Sequence, residues 1–168
     1  MREPTVSVPL ADLRATETLG ALLARTLPAL ERSPLVLHLR GDLGTGKTSL
    51  VRGFLRQLGV SGIVRSPTYT LVEPYRAGAF TCVHVDLYRL RDPVEMEDIG
   101  LRDYLSPGTI LLIEWPEKGA AGVPSADLVV EMDYAGQGRA AAIKPYTALG
   151  RQFKNLGETI AQVDKYLI

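Results

Sequence analysis

Residues 41–48 read GDLGTGKT, which fits G-x-x-x-x-G-K-[ST] without a substitution, with Gly41, Gly46, Lys47 and Thr48 at its fixed positions. Consecutive backbone N–H groups of such a loop point inward and cradle phosphate oxygens. The lysine reaches the β- and γ-phosphates, and the threonine hydroxyl can be placed on Mg²⁺. The glycines allow positive-φ turns and a close approach to phosphate that a Cβ would obstruct. The chemistry this predicts is nucleoside triphosphate binding, with Gly41, Asp42, Leu43, Gly44, Thr45, Gly46, Lys47, Thr48 and Ser49 forming the cradle.

A phosphate loop needs an acidic residue at the end of a neighbouring strand to hold the cation, directly or through water. Glu114 follows the apolar run Ile110-Leu111-Leu112-Ile113, and Asp86 follows Val83-His84-Val85. A carboxylate at a strand end near Lys47 stays ionised easily, because the opposite charge lowers its pKa. Glu114 is the cleaner candidate for the metal. Asp86 is a candidate either to orient attacking water or to support the metal shell. Thr68, in Ser66-Pro67-Thr68-Tyr69, occupies the first long loop after the phosphate-loop helix. It reads either as a switch-like threonine that senses the γ-phosphate or as part of a strand-initiating turn. Arg89 can neutralise phosphate charge or pair with Glu95 or Asp98. Trp115 can pack under the site or stack on a partner.

The elements that must position these groups follow from the pattern. The apolar segment 35–39 predicts a buried strand ahead of the loop, and residues 49–58 carry apolar residues at helical spacing after it, with Gly59 as C-cap. Residues 5–10 alternate weakly and predict an edge strand that tolerates Pro9. Leu19, Leu22, Leu23, Leu27 and Leu30 form one stripe, predicting a helix over 16–30. The β-rich runs 66–72 and 80–85 predict a hairpin turning near Ala77-Gly78. Asp92-Pro93 opens a short acidic helix as N-cap and first residue. Residues 109–113 read as a strand buried on both faces. Strands are further expected over 128–132 and 139–143, with Gly136 and Gly138 marking the turn. In the tail, Leu149, Phe153, Leu156, Ile160, Val163 and Leu167 recur at spacings of four and three, predicting an amphipathic helix capped by Thr147. Its stripe is expected to pack on the parent sheet, the alternative being a seam for another chain.

Composition bounds the rest. A length of 168 residues, 46% hydrophobic and 23% charged, is that of one ordinary globular domain. Lys plus Arg and Asp plus Glu both number 19, so no excess of positive charge draws the chain onto nucleic acid by itself. Cys82 is the only cysteine and lies in an apolar run, as a small buried hydrophobe would. His38 and His84 sit isolated within predicted strands and read as structural. No stretch approaches a membrane span, and the N-terminus lacks the apolar region of a signal peptide, so a cytoplasmic location is expected.

GDLGTGKT, then SPTYTLVEPY at 66–75, HVDLYRL at 84–90 and IEWPEKG at 113–119 resemble, in order and spacing, the TsaE (formerly YjeE) family of bacterial P-loop ATPases over residues 16–143. The phosphate loop alone is common to many families, whereas DLYR and EWPE are far more specific. The resemblance implies a role in forming N6-threonylcarbamoyladenosine at position 37 of tRNAs that read codons beginning with A. It implies ATP and Mg²⁺ as cofactors. It also implies TsaD and TsaB, a transferase heterodimer, as partners, with tRNA held mainly through them. Lys47, Asp86 and Glu114 would be catalytic, Thr48 and Glu114 metal ligands, and Thr68 the switch-like threonine. Trp115 matches the tryptophan that follows the Walker B acid. The expected fold class is α/β: one P-loop NTPase-like three-layer domain over 1–168, with a central, mostly parallel sheet and a C-terminal helix over 147–168.

Two other readings use the same loop. A small-molecule kinase would employ Asp86 to deprotonate an acceptor hydroxyl, with Arg89 and Arg91 as lid arginines. A GTP-dependent switch is disfavoured, because the chain contains no N-K-x-D motif to read guanine.

Overall fold

The computed structural model describes residues 5–153 and 156–161. Its centre is a seven-stranded sheet in the order β1-β7-β6-β2-β5-β4-β3. The strands are β1 Val6–Leu10, β2 Leu35–Arg40, β3 Val72–Ala77, β4 Phe80–Asp86, β5 Thr109–Glu114, β6 Leu128–Ala135 and β7 Gly138–Pro145. The middle of the sheet, β6-β2-β5-β4, is parallel, while β3 joins β4, β7 joins β6 and β1 joins β7 in antiparallel fashion. The sheet is therefore mixed rather than mostly parallel. Turns as short as Gly78-Ala79 and Gly136-Gln137 can join only antiparallel neighbours, whereas parallel pairing requires a long crossover.

The strands' alternation sorts their side chains onto two faces. On one, Leu35, Leu37, Leu39, Ile110, Leu112 and Val130 meet helices α1 (Leu13–Arg25) and α2 (Lys47–Gln57). On the other, Val36, Val83, Val85, Leu111 and Ile113 are covered by Leu87, Met96 and Leu101. These come from a loop and short helical turns that include α3 (Met96–Ile99). The two long helices cross closely: a Cβ on Gly53 would collide with the Glu17 carbonyl oxygen, and one on Gly20 with that of Leu50. Helix α1 begins three residues earlier than its apolar stripe suggests, because Asp12 accepts the Ala15 N–H at 2.8 Å and caps it. It ends by Thr26, ahead of Pro28, which disfavours helical backbone at Leu27.

Two further expectations need correction. Residues 66–71 are loop rather than strand. Leu71 takes a left-handed backbone (φ 62°), and the strand starts at Val72 with Pro74 tolerated because β3 is an edge. The tail is not one helix from Thr147. Gly150–Gln152 form a single 3₁₀ turn, Phe153 leaves the helical region (ψ 106°), and α4 covers Leu156–Ile160. The Thr147 hydroxyl accepts the Gly150 N–H but also donates to the Asp127 carboxylate, and a Cβ on Gly150 would collide with the Asp127 carbonyl, so this segment is tied to the start of β6. Phe153 and Ile160 are buried against the α1/α2 face, with Leu149 and Leu156 packed alongside. The described part of the stripe thus covers its own sheet; Val163 and Leu167 lie outside the described residues. No described helix is long and apolar enough to cross a membrane.

Candidate nucleotide-binding site

Strand β2 ends at Arg40, the loop 41–46 turns, and α2 starts at Lys47, so the unpaired first-turn N–H groups of an 11-residue helix open towards the end of β2. Gly41 has φ +137°, and a Cβ there would strike the Met132 carbonyl, so only glycine fits. Thr45, fully buried, closes the loop by donating its hydroxyl to the Asp42 carbonyl at 2.8 Å. From the β6–β7 hairpin, the Tyr134 hydroxyl donates to the Leu43 carbonyl at 2.7 Å and Arg139 Nε to that of Gly44 at 3.0 Å. The loop is thus braced on its outer side.

Asp86 and Glu114 are register partners on the parallel strands β4 and β5, so their carboxylates leave the sheet side by side on the α2 face, about 5 Å apart at the backbone. They are 6% and 2% exposed. The Thr48 hydroxyl donates to Glu114 at 2.9 Å, linking the first turn of α2 to the end of β5. His84 Nε2 lies 2.7 Å from Glu114 Oε1. Asp86 accepts from the Ser66 hydroxyl and from the Tyr88 N–H. Thr68 reaches Asp86 only through Ser66, whose Oγ is 3.2 Å from the Thr68 hydroxyl.

Lys47 is 4% exposed, and its ammonium donates to the Gly41 and Asp42 carbonyls at 2.6 and 2.8 Å. It also stands 4.2 Å from the centre of the Trp115 ring. Burial lowers its pKa from the ordinary 10.5, against the opposing pull of Glu114 and Asp86. Trp115 has a left-handed backbone (φ 58°), an uncommon conformation for a bulky residue, and it packs at 5.1 Å against Tyr88. Arg89 stacks 4.6 Å over the Tyr69 ring rather than pairing with Glu95, whose carboxylate caps the Arg91 and Asp92 N–H groups.

These groups line a cleft of about 510 Å³ that contains Leu43, Gly44, Gly46, Lys47, Thr48, Ser49, Thr68, Asp86, Arg89, Glu114 and Trp115. Gly41, Asp42 and Thr45, also expected to bind nucleotide, do not line it. The sequence reasoning overlooked Ser66, Tyr88, Arg139 and the α1 residues Leu13 and Thr16, which also line the cleft. It also read His84 as an isolated core residue, although the H-x-D spacing places His84 and Asp86 on the same strand face. Among the described residues no group of three His, Cys, Asp or Glu could hold a metal ion. One hydroxyl and two adjacent carboxylates are instead the sparse oxygen set suited to a hard divalent cation that arrives with phosphate and keeps part of its water.

A family profile described as "Threonylcarbamoyl adenosine biosynthesis protein TsaE" matches residues 10–141. A Haemophilus influenzae protein named tRNA threonylcarbamoyladenosine biosynthesis protein TsaE is 48% identical over 117 residues, 70% of this chain and 74% of that one. A Bacillus subtilis protein of the same name is 34% identical, covering 84% and 87%. A crystal structure of Bacillus subtilis YdiB superposes with a TM-score of 0.73 at 25% identity, covering 98% of this chain and 99% of that one.

Proposed function

The chain belongs to the TsaE family, and on that premise we propose that it is a Mg²⁺-dependent ATPase serving the formation of N6-threonylcarbamoyladenosine at position 37 of tRNAs reading ANN codons. The observation that carries this reading is the Thr48–Glu114 hydrogen bond, which joins the phosphate loop to the strand-end carboxylate beside a buried lysine. The whole chain acts as one P-loop NTPase-like domain in the cytoplasm.

The amides of residues 41–46 and the first turn of α2, with Ser49 at its outer edge, seat the polyphosphate of ATP. Lys47 exchanges its hold on the Gly41 and Asp42 carbonyls for β- and γ-phosphate oxygens, where its charge offsets theirs. Thr48 and Glu114 would hold Mg²⁺, and the cation when bound would supply positive charge against that of the phosphates. Asp86, fixed by Ser66 and the Tyr88 N–H, directs its free lone pairs at the attacking water and accepts its proton. Thr68, bonded to the same Ser66, senses whether the γ-phosphate is present through the 66–71 loop.

Hydrolysis drives the cycle of the TsaD–TsaB transferase, and tRNA is held mainly by those partners, in keeping with the equal numbers of acidic and basic residues. Phosphate release from ATP, measured with and without the heterodimer, tests the proposal. Slow release alone and marked acceleration by the heterodimer are expected. Rapid, partner-independent phosphorylation of a metabolite would instead establish the kinase reading, with Asp86 as base.

A further inference from the structure

We infer that His84 is a positioning residue for Glu114, holding that carboxylate in one orientation and so setting how strongly the site takes Mg²⁺ together with nucleotide. This rests on the nucleotide reading proposed above. His84 is the register partner of Leu112, two residues before Glu114 and on the same face of the sheet, so its ring reaches Glu114 diagonally across neighbouring strands. A carboxylate offers only acceptors, so the nitrogen 2.7 Å from Oε1 carries the hydrogen and donates it. Its other nitrogen, Nδ1, is buried without a partner among the described residues.

An aliphatic side chain would fill this fully buried place without leaving a polar atom stranded. What the imidazole adds there is its bond to Glu114. Among the described residues, Thr48 is the only other side chain that donates to this carboxylate. The Thr48 hydroxyl must reorganise when phosphate and cation arrive; His84, which does not line the cleft, keeps its hold throughout. Partners of this kind behind a ligating group typically change metal affinity by about 10- to 100-fold when removed.

The test compares His84→Leu, which removes the donor, with His84→Gln, whose amide N–H can reach Oε1. Mg²⁺ is titrated at fixed ATP and read by the fluorescence of Trp115, the chain's only tryptophan. ATP affinity in EDTA and a thermal melt serve as controls. His84→Leu should raise the half-saturating Mg²⁺ concentration about tenfold or more, leave affinity in EDTA unchanged, and be largely rescued in His84→Gln. Should the leucine variant not fold, His84→Asn, polar but too short to reach Oε1, takes its place. An unchanged Mg²⁺ requirement in the donor-less variant overturns the inference, as does a folded His84→Gln impaired as severely as His84→Leu. A wild-type protein that binds no ATP at any Mg²⁺ concentration overturns the nucleotide reading itself, and the two failures are distinct.

Discussion

Replacing Lys47 by alanine separates the work the ammonium does for nucleotide from what it does for the fold. In the free protein the ammonium is buried, bonded to two loop carbonyls and set against Trp115, and burial has already lowered its pKa. The cost of desolvating it therefore offsets most of what those contacts return, and its loss should move the melting temperature by only a few degrees. With ATP bound, the same charge faces phosphate oxygens while Asp86 and Glu114 stand beside the polyphosphate with the same sign. One charge-assisted hydrogen bond contributes about 1.5–3 kcal/mol, and a charge pair at 4 Å near a protein surface is worth about 4 kcal/mol. We expect a net loss of roughly 3–4 kcal/mol in ATP binding, a Kd some 10²–10³-fold weaker at about 1.4 kcal/mol per decade. Calorimetric titration of ATP with Mg²⁺ into the folded variant measures it, and ATP turnover should collapse in parallel. A Kd within about threefold of wild type, well under 1.4 kcal/mol, would remove Lys47 from the phosphate site and refute the reasoning.

Alanine is a better helix former than glycine by about 1 kcal/mol, yet Gly53→Ala should destabilise by about 1–3 kcal/mol, because its Cβ meets the Glu17 carbonyl in the α1–α2 crossing. A thermal melt should fall by roughly 2–4 °C per kcal/mol; a rise would refute the close crossing. Burial pushes the His38 imidazole below its usual 6.5, despite the bond its Nε2 makes to the Pro124 carbonyl. As pH falls below 6.5 the unfolded chain takes up this proton before the folded one, so stability drops with a slope of at most about 1.4 kcal/mol per pH unit until the folded ring protonates. Urea midpoints at two pH values either side of 6.5 should therefore diverge more in wild type than in His38→Gln, and equal losses would contradict the assignment.

The turn from β2 into α2 was legible because its pattern is local: eight contiguous residues, 41–48, hold most of its geometry. Asp86 and Glu114 were legible because each ends an apolar run, and parallel register then makes them neighbours. The family, too, was recognisable from four ordered motifs, and the profile and relatives agree with it. What stayed hidden depends on tertiary contact. The tail's helical geometry breaks at Phe153, whose ψ of 106° leaves the helical region, just after Gly150 packs against the Asp127 carbonyl, a contact that helical spacing does not report. The β-rich composition of 66–71 suggested a strand, but Leu71 turns left-handed, its N–H donating to the Pro67 carbonyl and its carbonyl accepting the Asp86 N–H. His84 looked like core because its partner lies 30 residues away in sequence.

The central claim is that the amides of 41–46 and the first turn of α2, with Lys47, grip the triphosphate of ATP. Calorimetry of the folded wild-type protein with ATP, in Mg²⁺ and then in EDTA, tests it most directly. The account predicts saturable binding that strengthens with the cation. No heat in either buffer, with the TsaD–TsaB heterodimer also present, would contradict it.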